Sequence, residues 1–315
     1  MRTNSSPTLQ PYAVAKTAPH PFDLEGRTVL LAMDGSAGAS AGACVAHALA
    51  ASRGALVRVL RVIDSRTIPF PPAMGVALAV GDPDQDLTAH QKEVQETRSS
   101  LETITGETLD WPIRVTIGSP AAVIRDEARR VGAALVIVGL HKYGRFDRAL
   151  NNETSLNVMR KSSCPVLGII PGLTRLPVRI LAALDFSAIS LAASRAASGI
   201  ADDDAALVLA YVPPITALLG DEGERKIHEL GVRAAFADAK RELGDQELEH
   251  VVLEHDLSVS VAAALLTHAE HTSCDLIAVG SARQGRLERW MMGSVSTELV
   301  RDAGCSVLVV PPTRL

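Results

Sequence analysis

An internal repeat is the feature that most constrains the fold of this sequence. An apolar run ends at Asp34, and a similar run ends at Asp185, 151 positions later. Gly139 closes another apolar run and is matched by Gly280, 141 positions later, and this second spacing holds over the last third of each half. A spacing that stays constant over such a length indicates a tandem repeat. The difference between the two spacings places an insertion in the first half, in its Pro-rich loop and the polar helix that follows.

Short apolar runs alternate with helix-length segments in both halves. The runs predict strands at 27–36, 55–64, 111–117, 134–139 and 164–171 in the first half, and at 178–187, 206–212, 249–255, 275–279 and 305–310 in the second. The intervening segments predict helices that include 39–53, 85–107, 222–243 and 260–270. Strands joined by helical crossovers form right-handed βαβ units in a parallel sheet. The predicted fold class is α/β, with two tandem doubly wound five-stranded parallel sheets of Rossmann-like type.

Length and composition agree with two domains. The chain has 315 residues, which suits two domains better than one. Apolar residues make up 47% of the chain and aromatic residues only 3%, so the cores must be built from Ala, Val, Leu and Ile. We predict a flexible tail at 1–25, a first domain at 26–171, a linker at 172–177 and a second domain at 178–315.

Charge and hydropathy exclude several classes of protein. The net charge is -5 and the pI is near 6.0, whereas nucleic-acid-binding domains carry a basic excess. No apolar run is long enough to span a membrane, and the first residues lack the apolar core of a signal peptide. We therefore expect a cytoplasmic protein that binds neither nucleic acid nor membrane. The four cysteines lie within apolar patterns without CxxC spacing, which predicts buried thiols rather than disulfides.

The stretch from Cys274 to Val310 predicts a strand, a glycine turn, a helix and a second strand. The first strand stops at Gly280, and the helix begins at Gly293 and Ser294, with Ser294 as its N-cap. A helix start offers free N–H groups and the positive end of the helix dipole, which together suit an anion such as phosphate. The alternative is that the two glycines only form a turn and a helix cap.

This stretch resembles the nucleotide-binding signature of the universal stress protein family, Gly-x2-Gly-x9-Gly-Ser/Thr after a strand. Three of its four positions fit, as Gly280, Gly293 and Ser294, and Arg283 stands where the ATP-binding members have glycine. The closing strand at 305–311 is also similar to the family's last strand. The resemblance covers roughly residues 26–312 and implies two tandem domains of the universal stress protein type.

The resemblance implies an adenine-nucleotide site in the second half. Asp185 would contact the nucleoside, and Val212 would lie near the base. The positions that hold the phosphates match Gly280, Gly293, Ser294 and Ser296. The implied ligand is ATP, with or without Mg²⁺, and Arg283 either contacts its phosphates or fills the pocket. The alternative role for Asp185 is to cap a strand-to-helix turn.

The first half is predicted to lack a working nucleotide site. Asn152 and Glu153 occupy the positions that correspond to Gly293 and Ser294. A carboxylate at a helix start satisfies the helix dipole itself and repels phosphate. Asp34 and Val62 remain, but we expect one nucleotide per chain, bound in the second half.

Three functions follow as hypotheses. The first is a non-enzymatic sensor or regulator in a stress response that binds an adenine nucleotide. The second is a slow ATP hydrolase on the same site, although the sequence has no P-loop, nucleophile elbow or HExxH motif. The third is a nucleotide-free scaffold for an unknown protein partner. No metal site is predicted, because His268 and His271 have no third ligand at a zinc-like spacing.

The last strand of each half is predicted to pair with the other. An apolar edge strand left unpaired is an aggregation hazard. In the family that this chain resembles, the same strand forms the dimer contact, so a tandem chain can satisfy it internally. We therefore expect an internal pseudo-dimer of the two halves, and leave open whether the whole chain forms a homodimer.

Overall fold

The computed structural model describes residues 22–65, 83–140, 153–245, 247–253, 258–281 and 292–312, and the side chains of 83–87 and 218 lie outside that description. The first half contains β1 (Thr28–Met33), α1 (Ala37–Arg53), β2 (Leu56–Asp64), α2 (Pro83–Thr105), β3 (Ile113–Gly118), α3 (Pro120–Arg130), β4 (Leu135–Gly139), α4 (Glu153–Lys161) and β5 (Val166–Ile169). Each strand except β5 is thus followed by a helix, as in a doubly wound sheet.

The second half repeats this order. It contains β6 (Arg179–Ala183), α5 (Ala188–Gly199), β7 (Ala206–Tyr211), α6 (Ile215–Leu218), α7 (Glu222–Leu243), β8 (Glu249–Val252), α8 (Val261–His271), β9 (Leu276–Gly280), α9 (Ser294–Asp302) and β10 (Ser306–Val310). The predicted α/β class and the tandem arrangement are confirmed. No helix in these described parts is long and apolar enough to cross a membrane.

Serine caps explain where several helices begin. Ser36, Ser187 and Ser260 are the N-caps of α1, α5 and α8, and each hydroxyl accepts a hydrogen bond from the backbone N–H three residues later. The predicted start of α1 at residue 39 was therefore two residues late, because Ser36 already caps the helix. Strand β3 begins at Ile113 rather than at residue 111. Strand β8 ends at Val252, and residues 254–257 of the predicted strand lie outside the described residues.

The strands of both halves form one ten-stranded sheet in the order β3-β2-β1-β4-β5-β10-β9-β6-β7-β8. All neighbouring pairs are parallel except β5 and β10, which are antiparallel, with Leu308 opposite Leu167. The predicted pairing of the last strands is confirmed. Because this junction is antiparallel, every strand of the first half runs opposite to every strand of the second. The carboxyl ends of the two sets of strands therefore lie at opposite edges of the sheet.

Two hydrophobic cores cover the two faces of the sheet. Helices α1, α2, α5 and α7 contribute to the core on one face, which includes Leu49, Leu101 and Phe236. Helices α3, α4, α8 and α9 contribute to the core on the other face, which includes Leu156 and Leu299. Each core contains residues of both halves, so the halves share their interior as well as their sheet.

Contacts between distant parts of the chain hold the two halves together. The Arg53 guanidinium donates to the carbonyl of Ala201 at 2.8 Å and pairs with Asp203 at 2.6 Å. Phe22 lies against the end of α5, where a Cβ atom on Gly199 would be 2.3 Å from the Phe22 carbonyl oxygen. The segment before β1 therefore packs on a helix of the second half.

Candidate functional site

A cavity of about 550 Å³ opens in the second half at the carboxyl ends of β6, β7 and β9. The strand order reverses here: β7 lies on one side of β6, and β9 lies on the other. The first half has the same arrangement, with β1 between β2 and β4. Open parallel sheets bind their ligands at such a switch point. Six of the predicted site residues line the cavity: Asp185, Val212, Gly280, Gly293, Ser294 and Ser296. Arg283 lies outside the described residues.

Asp185 follows β6 and begins a tight turn into α5. Its Oδ1 atom accepts a hydrogen bond from the Ser187 backbone N–H at 3.0 Å, and the Ser187 hydroxyl accepts one from the Ser190 N–H at 3.2 Å. The Asp185 side chain is exposed at the cavity. The turn-forming role considered from the sequence is therefore present, and it holds the carboxylate beside the cavity.

The start of α9 forms another part of the cavity wall. Gly293, not Ser294, is the N-cap, and no side chain caps this helix. The prediction that Ser294 caps the helix was wrong, because Ser294 is already its first helical residue. The first intrahelical bond is donated by Thr297 to the Gly293 carbonyl at 3.0 Å. The N–H groups of the first turn have no partner within the helix, and the helix dipole places partial positive charge at them.

Ser296 joins this helix to the strand that precedes it. Its side chain is 2% exposed, and its hydroxyl donates to the carbonyl oxygen of Gly280 at 3.1 Å. In the first half Ser155 donates to the Gly139 carbonyl at 2.8 Å in the same way. Both hydroxyls fix a helix start beside a strand end, which is a different contact from the phosphate contact that the sequence suggested for Ser296.

Gly280 lies where α5 comes closest to the sheet. A Cβ atom at this position would be 2.6 Å from Cγ2 of Ile189 and 3.1 Å from the backbone of the same residue. Glycine is therefore needed here for the packing of a helix on the strand end. This contact accounts for the glycine without a ligand, although the residue also lines the cavity.

The remaining wall of the cavity is mainly apolar. It is formed by side chains from β7 and the residue after it, and from α8, β9 and α9, including Tyr211, Val212, Val261, Leu265, Val279 and Val295. Tyr211 belongs to a group with Phe186 and Phe236 that we call the aromatic cluster, in which the ring centroids lie 5.0 to 6.4 Å apart. Sequence analysis missed this cluster. The one available signal was Phe186, which stands where the first half has Gly35.

The first half has a cavity at the matching place, with a volume of about 370 Å³. Asp34, Val62 and Gly139 line it, as their positions in the repeat require. Its wall is more highly charged, because Arg61, Asp64 and Glu93 also line it, and the Arg61 Nε atom lies 3.6 Å from the Glu93 Oε2 atom. Glu153 is the first residue of α4 and is exposed, whereas Asn152 lies outside the described residues.

The cysteines offer no reactive thiolate in the described structure. All four are free, and burial raises the pKa of Cys305 to about 12. Burial also raises the pKa of Cys44, Cys164 and Cys274 above the ordinary value. A thiol with a raised pKa is protonated at neutral pH and is a poor nucleophile and metal ligand. Within the described ranges, no group of three or more His, Cys, Asp or Glu residues is arranged to hold a metal ion.

Comparisons with known proteins agree with the fold and its tandem arrangement. The model of the universal stress protein family matches residues 26–169 and again residues 178–311. A universal stress protein from Archaeoglobus fulgidus DSM 4304 is 17% identical with a TM-score of 0.58, and the match covers 93% of this chain and 98% of that chain. A functionally unknown protein from Pseudomonas aeruginosa PAO1 is 16% identical with a TM-score of 0.58, and the match covers 91% and 92% of the two chains. At this identity the two structures show a shared fold.

Proposed function

This chain belongs to the universal stress protein family, whose model matches both of its halves, and from this premise we propose that its second half binds an adenine nucleotide. The protein acts in this proposal as a non-enzymatic sensor or regulator whose state depends on the bound nucleotide. The observation that carries the proposal is the convergence of six predicted residues, spread over more than a hundred positions, on one cavity.

The chemistry of the cavity fits the parts of a nucleotide. After the end of β6, Asp185 presents a carboxylate, which accepts hydrogen bonds from ribose hydroxyls. Around Val212 and Val279 the wall is apolar, which suits the faces of a purine base. In another part of the wall, the uncapped start of α9 presents N–H groups and the positive end of its dipole, which suit phosphate. The volume of about 550 Å³ lies within the usual range for small-molecule pockets.

The first half differs where the phosphates would lie. Glu153 stands at the start of α4 in the position of Ser294, so a carboxylate replaces a hydroxyl at the helix start. Each charge-assisted phosphate contact is worth about 1.5–3 kcal/mol, so replacing such contacts with repulsion removes measurable affinity. The proposal is therefore one nucleotide per chain.

Calorimetry with ATP, ADP and AMP on the whole chain tests the proposal. We expect one equivalent of nucleotide to bind. Ser294→Glu copies the charge of Glu153 onto α9 and should weaken binding by at least about tenfold, whereas Ser294→Ala should retain it. Asp185→Ala should also weaken binding, and its matched control Asp34→Ala should leave the affinity unchanged.

Four outcomes would contradict the proposal. If two equivalents bind, or if Asp34→Ala weakens binding as much as Asp185→Ala, the site is not confined to the second half. If no adenine nucleotide binds, the nucleotide-free scaffold becomes the better hypothesis. If the purified protein hydrolyses Mg-ATP with turnover and Asp185→Ala abolishes the turnover, the slow hydrolase replaces the non-enzymatic regulator.

A further inference from the structure

Phe186 has an unusual backbone conformation for its residue type. Its φ angle is 62°, in the left-handed region, where a side chain crowds the backbone and glycine is preferred. The residue stands between Asp185 and Ser187, and both of these line the cavity of the second half. Any relaxation of φ at Phe186 would therefore move the Asp185 carboxylate relative to the cavity.

The first half makes the same turn without the strain. Gly35 has a φ angle of 82°, and it stands between Asp34 and Ser36. The Asp34 Oδ1 atom accepts a hydrogen bond from the Ser36 N–H at 2.9 Å, as Asp185 does from Ser187 at 3.0 Å. The turn itself therefore needs only a residue that tolerates the left-handed conformation. A phenylalanine at this position must be held there by its surroundings.

The aromatic cluster supplies these surroundings. Phe186 is 2% exposed. Its ring centroid lies 5.0 Å from that of Tyr211 and 5.2 Å from that of Phe236, and the Phe186 and Phe236 rings meet edge to face. Tyr211 ends β7 and lines the cavity, whereas Phe236 belongs to α7 and does not line it. Aromatic pairs at these distances are attractive beyond the area they bury.

The first half has no counterpart of this cluster at the matching positions. The register of β1 with β2 and of β6 with β7 gives Arg61 the place of Tyr211. A Cβ atom on Gly35 would lie 3.9 Å from the guanidinium of Arg61, so the two positions are neighbours in the first half as Phe186 and Tyr211 are in the second. The strained residue and its aromatic partners thus occur together, in the half that has the proposed nucleotide site.

We propose that Phe186 is a positioning residue for the nucleotide site, acting through Asp185. This inference rests on the proposed function. The aromatic cluster holds the turn in its left-handed conformation, and the turn holds the Asp185 carboxylate at the edge of the cavity. Phe236, which does not line the cavity, then contributes to affinity through Phe186.

Two substitutions at Phe186 distinguish the effect of backbone strain in the turn from the effect of losing the ring. Phe186→Ala removes the ring and keeps a Cβ atom, so the left-handed conformation is strained and unsupported. Phe186→Gly also removes the ring but restores the residue that the first half uses. We expect calorimetry with ATP to show at least about tenfold weaker binding for Phe186→Ala than for Phe186→Gly. Equal affinities of the two variants would overturn the proposal.

A double-mutant cycle tests whether the effect passes through Asp185. Phe186→Ala should weaken ATP binding in the wild-type background and have no further effect in an Asp185→Asn background. A general loss of stability would weaken binding equally in both backgrounds and would overturn the proposal. Phe236→Leu provides a milder variant in case Phe186→Ala does not fold, and it should show the same dependence on Asp185.

Hydrogen exchange at the Ser187 amide tests the role of the aromatic cluster without relying on nucleotide binding. This amide donates to the Asp185 carboxylate and reports the turn directly. If the wild-type protein binds no nucleotide, the proposed function fails, and the exchange rates still decide the role of the cluster. Exchange at least about tenfold faster in Phe186→Ala than in Phe186→Gly supports the positioning of Asp185, and equal rates overturn it.

Discussion

A single methyl group separates glycine from alanine, and position 280 has no room for it. The nearest atoms to a Cβ at Gly280 belong to Ile189 at the start of α5, one of them only 2.6 Å away. Gly280→Ala should therefore lower the free energy of unfolding by about 1–3 kcal/mol, because α5 must move away from the sheet. Urea denaturation of the purified variant measures the effect.

Gly304 provides the matched control for this substitution. A Cβ atom at Gly304 would meet nothing within 4 Å. Gly304→Ala should therefore change the stability by no more than about 0.5 kcal/mol. Equal urea midpoints for the two alanine variants would show that the close approach of Ile189 does not determine the residue at position 280.

Glu127 is a buried carboxylate held by two arginines. Arg130 donates to it from Nε at 2.8 Å and from its second guanidinium nitrogen at 2.6 Å, and Arg114 donates at 2.9 Å. The hydrogen bond from Arg130, followed by the charges of Arg114 and Arg130, lowers the pKa of Glu127 below its ordinary value against the opposing effect of burial. The folded protein therefore binds a proton here less readily than the unfolded chain.

The stabilisation from Glu127 should depend on pH. Because its pKa is lowered by folding, the contribution is present above the ordinary glutamate pKa and is lost as the pH falls through the folded-state value. Glu127→Gln should destabilise the protein at pH 7 by about 1 kcal/mol, and the difference from wild type should shrink in acid. Urea denaturation at pH 7 and at pH 3.5 measures both values.

An exposed ion pair controls for general effects of charge. Asp238 and Arg241 pair at 2.7 Å on the solvent side of α7. Asp238→Asn should have little effect at either pH, since exposed pairs contribute little. A difference for Glu127→Gln that stayed constant between the two pH values would contradict the role given to its ionisation.

Sequence reasoning succeeded at residue scale where a repeat or a motif marked the position. Asp185, Gly280 and Gly293 were placed near one crevice, and all three line one cavity. The prediction that Ser294 caps α9 was wrong, because Gly293 is the N-cap. The hydrogen bond from Ser296 to the Gly280 carbonyl was not predicted, and the phosphate contact of Ser296 stays a prediction. A linear pattern does not distinguish these roles, because one serine hydroxyl can cap a helix, bind a ligand or bond to a neighbouring strand.

At the scale of elements, the β5–β10 pair is the joint between the halves. Leu308 is fully buried and lies opposite Leu167. Leu308→Glu places a charge in this joint without a partner and should lower the stability of the whole chain by at least about 3 kcal/mol. Urea unfolding followed by circular dichroism measures the loss.

Val252 offers a control strand position for this prediction. It lies in the edge strand β8 and is 43% exposed, so Val252→Glu meets water rather than a core. It should leave the midpoint within about 0.5 kcal/mol of wild type. The shared joint is disproved if Leu308→Glu unfolds the second half alone while the first half keeps its wild-type midpoint.

The order of elements could be predicted because apolar runs of strand length alternate with longer amphipathic segments in both halves. The first and last residues of the elements were predicted less accurately, because a helix or strand ends where its backbone groups no longer have hydrogen-bond partners. Helix α1 begins two residues before its first predicted residue, because Ser36 caps it. Strand β3 begins two residues after Trp111, because its pairing with β2 starts at Ile113.

At the scale of the whole molecule, the segment between the halves is anchored rather than loose. Leu173 and Leu176 are buried in the core, and Thr174 and Arg175 between them are exposed. A protease site inserted between Thr174 and Arg175 should therefore be cleaved without separating the halves. Gel filtration after complete cleavage should show both fragments in one peak at the elution volume of the uncut chain.

Leu308→Glu, which disrupts the β5–β10 pair, shows whether this pair or the linker holds the cleaved halves together. The same cleavage in a Leu308→Glu background should release the halves as separate peaks, because the β5–β10 pair no longer holds them. Separate peaks from the cleaved wild-type background would mean that the covalent linker, and not the shared sheet, keeps the halves together.

The tandem repeat allowed two domains and their joint to be predicted, since each half repeats a complete set of strands. Contacts across the halves could not be predicted in the same way. Arg53 bonds to Ala201 and Asp203 about 150 positions away, and Phe22 packs at Gly199. Each of these contacts joins residues of different halves that lie about 150 or more positions apart, and no local pattern in the sequence marks such a pair.

Because the β5–β10 pair is antiparallel, the carboxyl ends of the strands in the two halves face opposite ends of the molecule. Its two cavities open toward opposite ends of the strands, and their central strands, β1 and β6, are five strand spacings, or about 24 Å, apart across the sheet. No ligand of nucleotide size can span them, and no flat partner can touch both mouths at once. Under the proposed binding of one nucleotide per chain, only the end that carries the second-half cavity changes with the supply of ligand, and the ten-stranded sheet separates it from the other end.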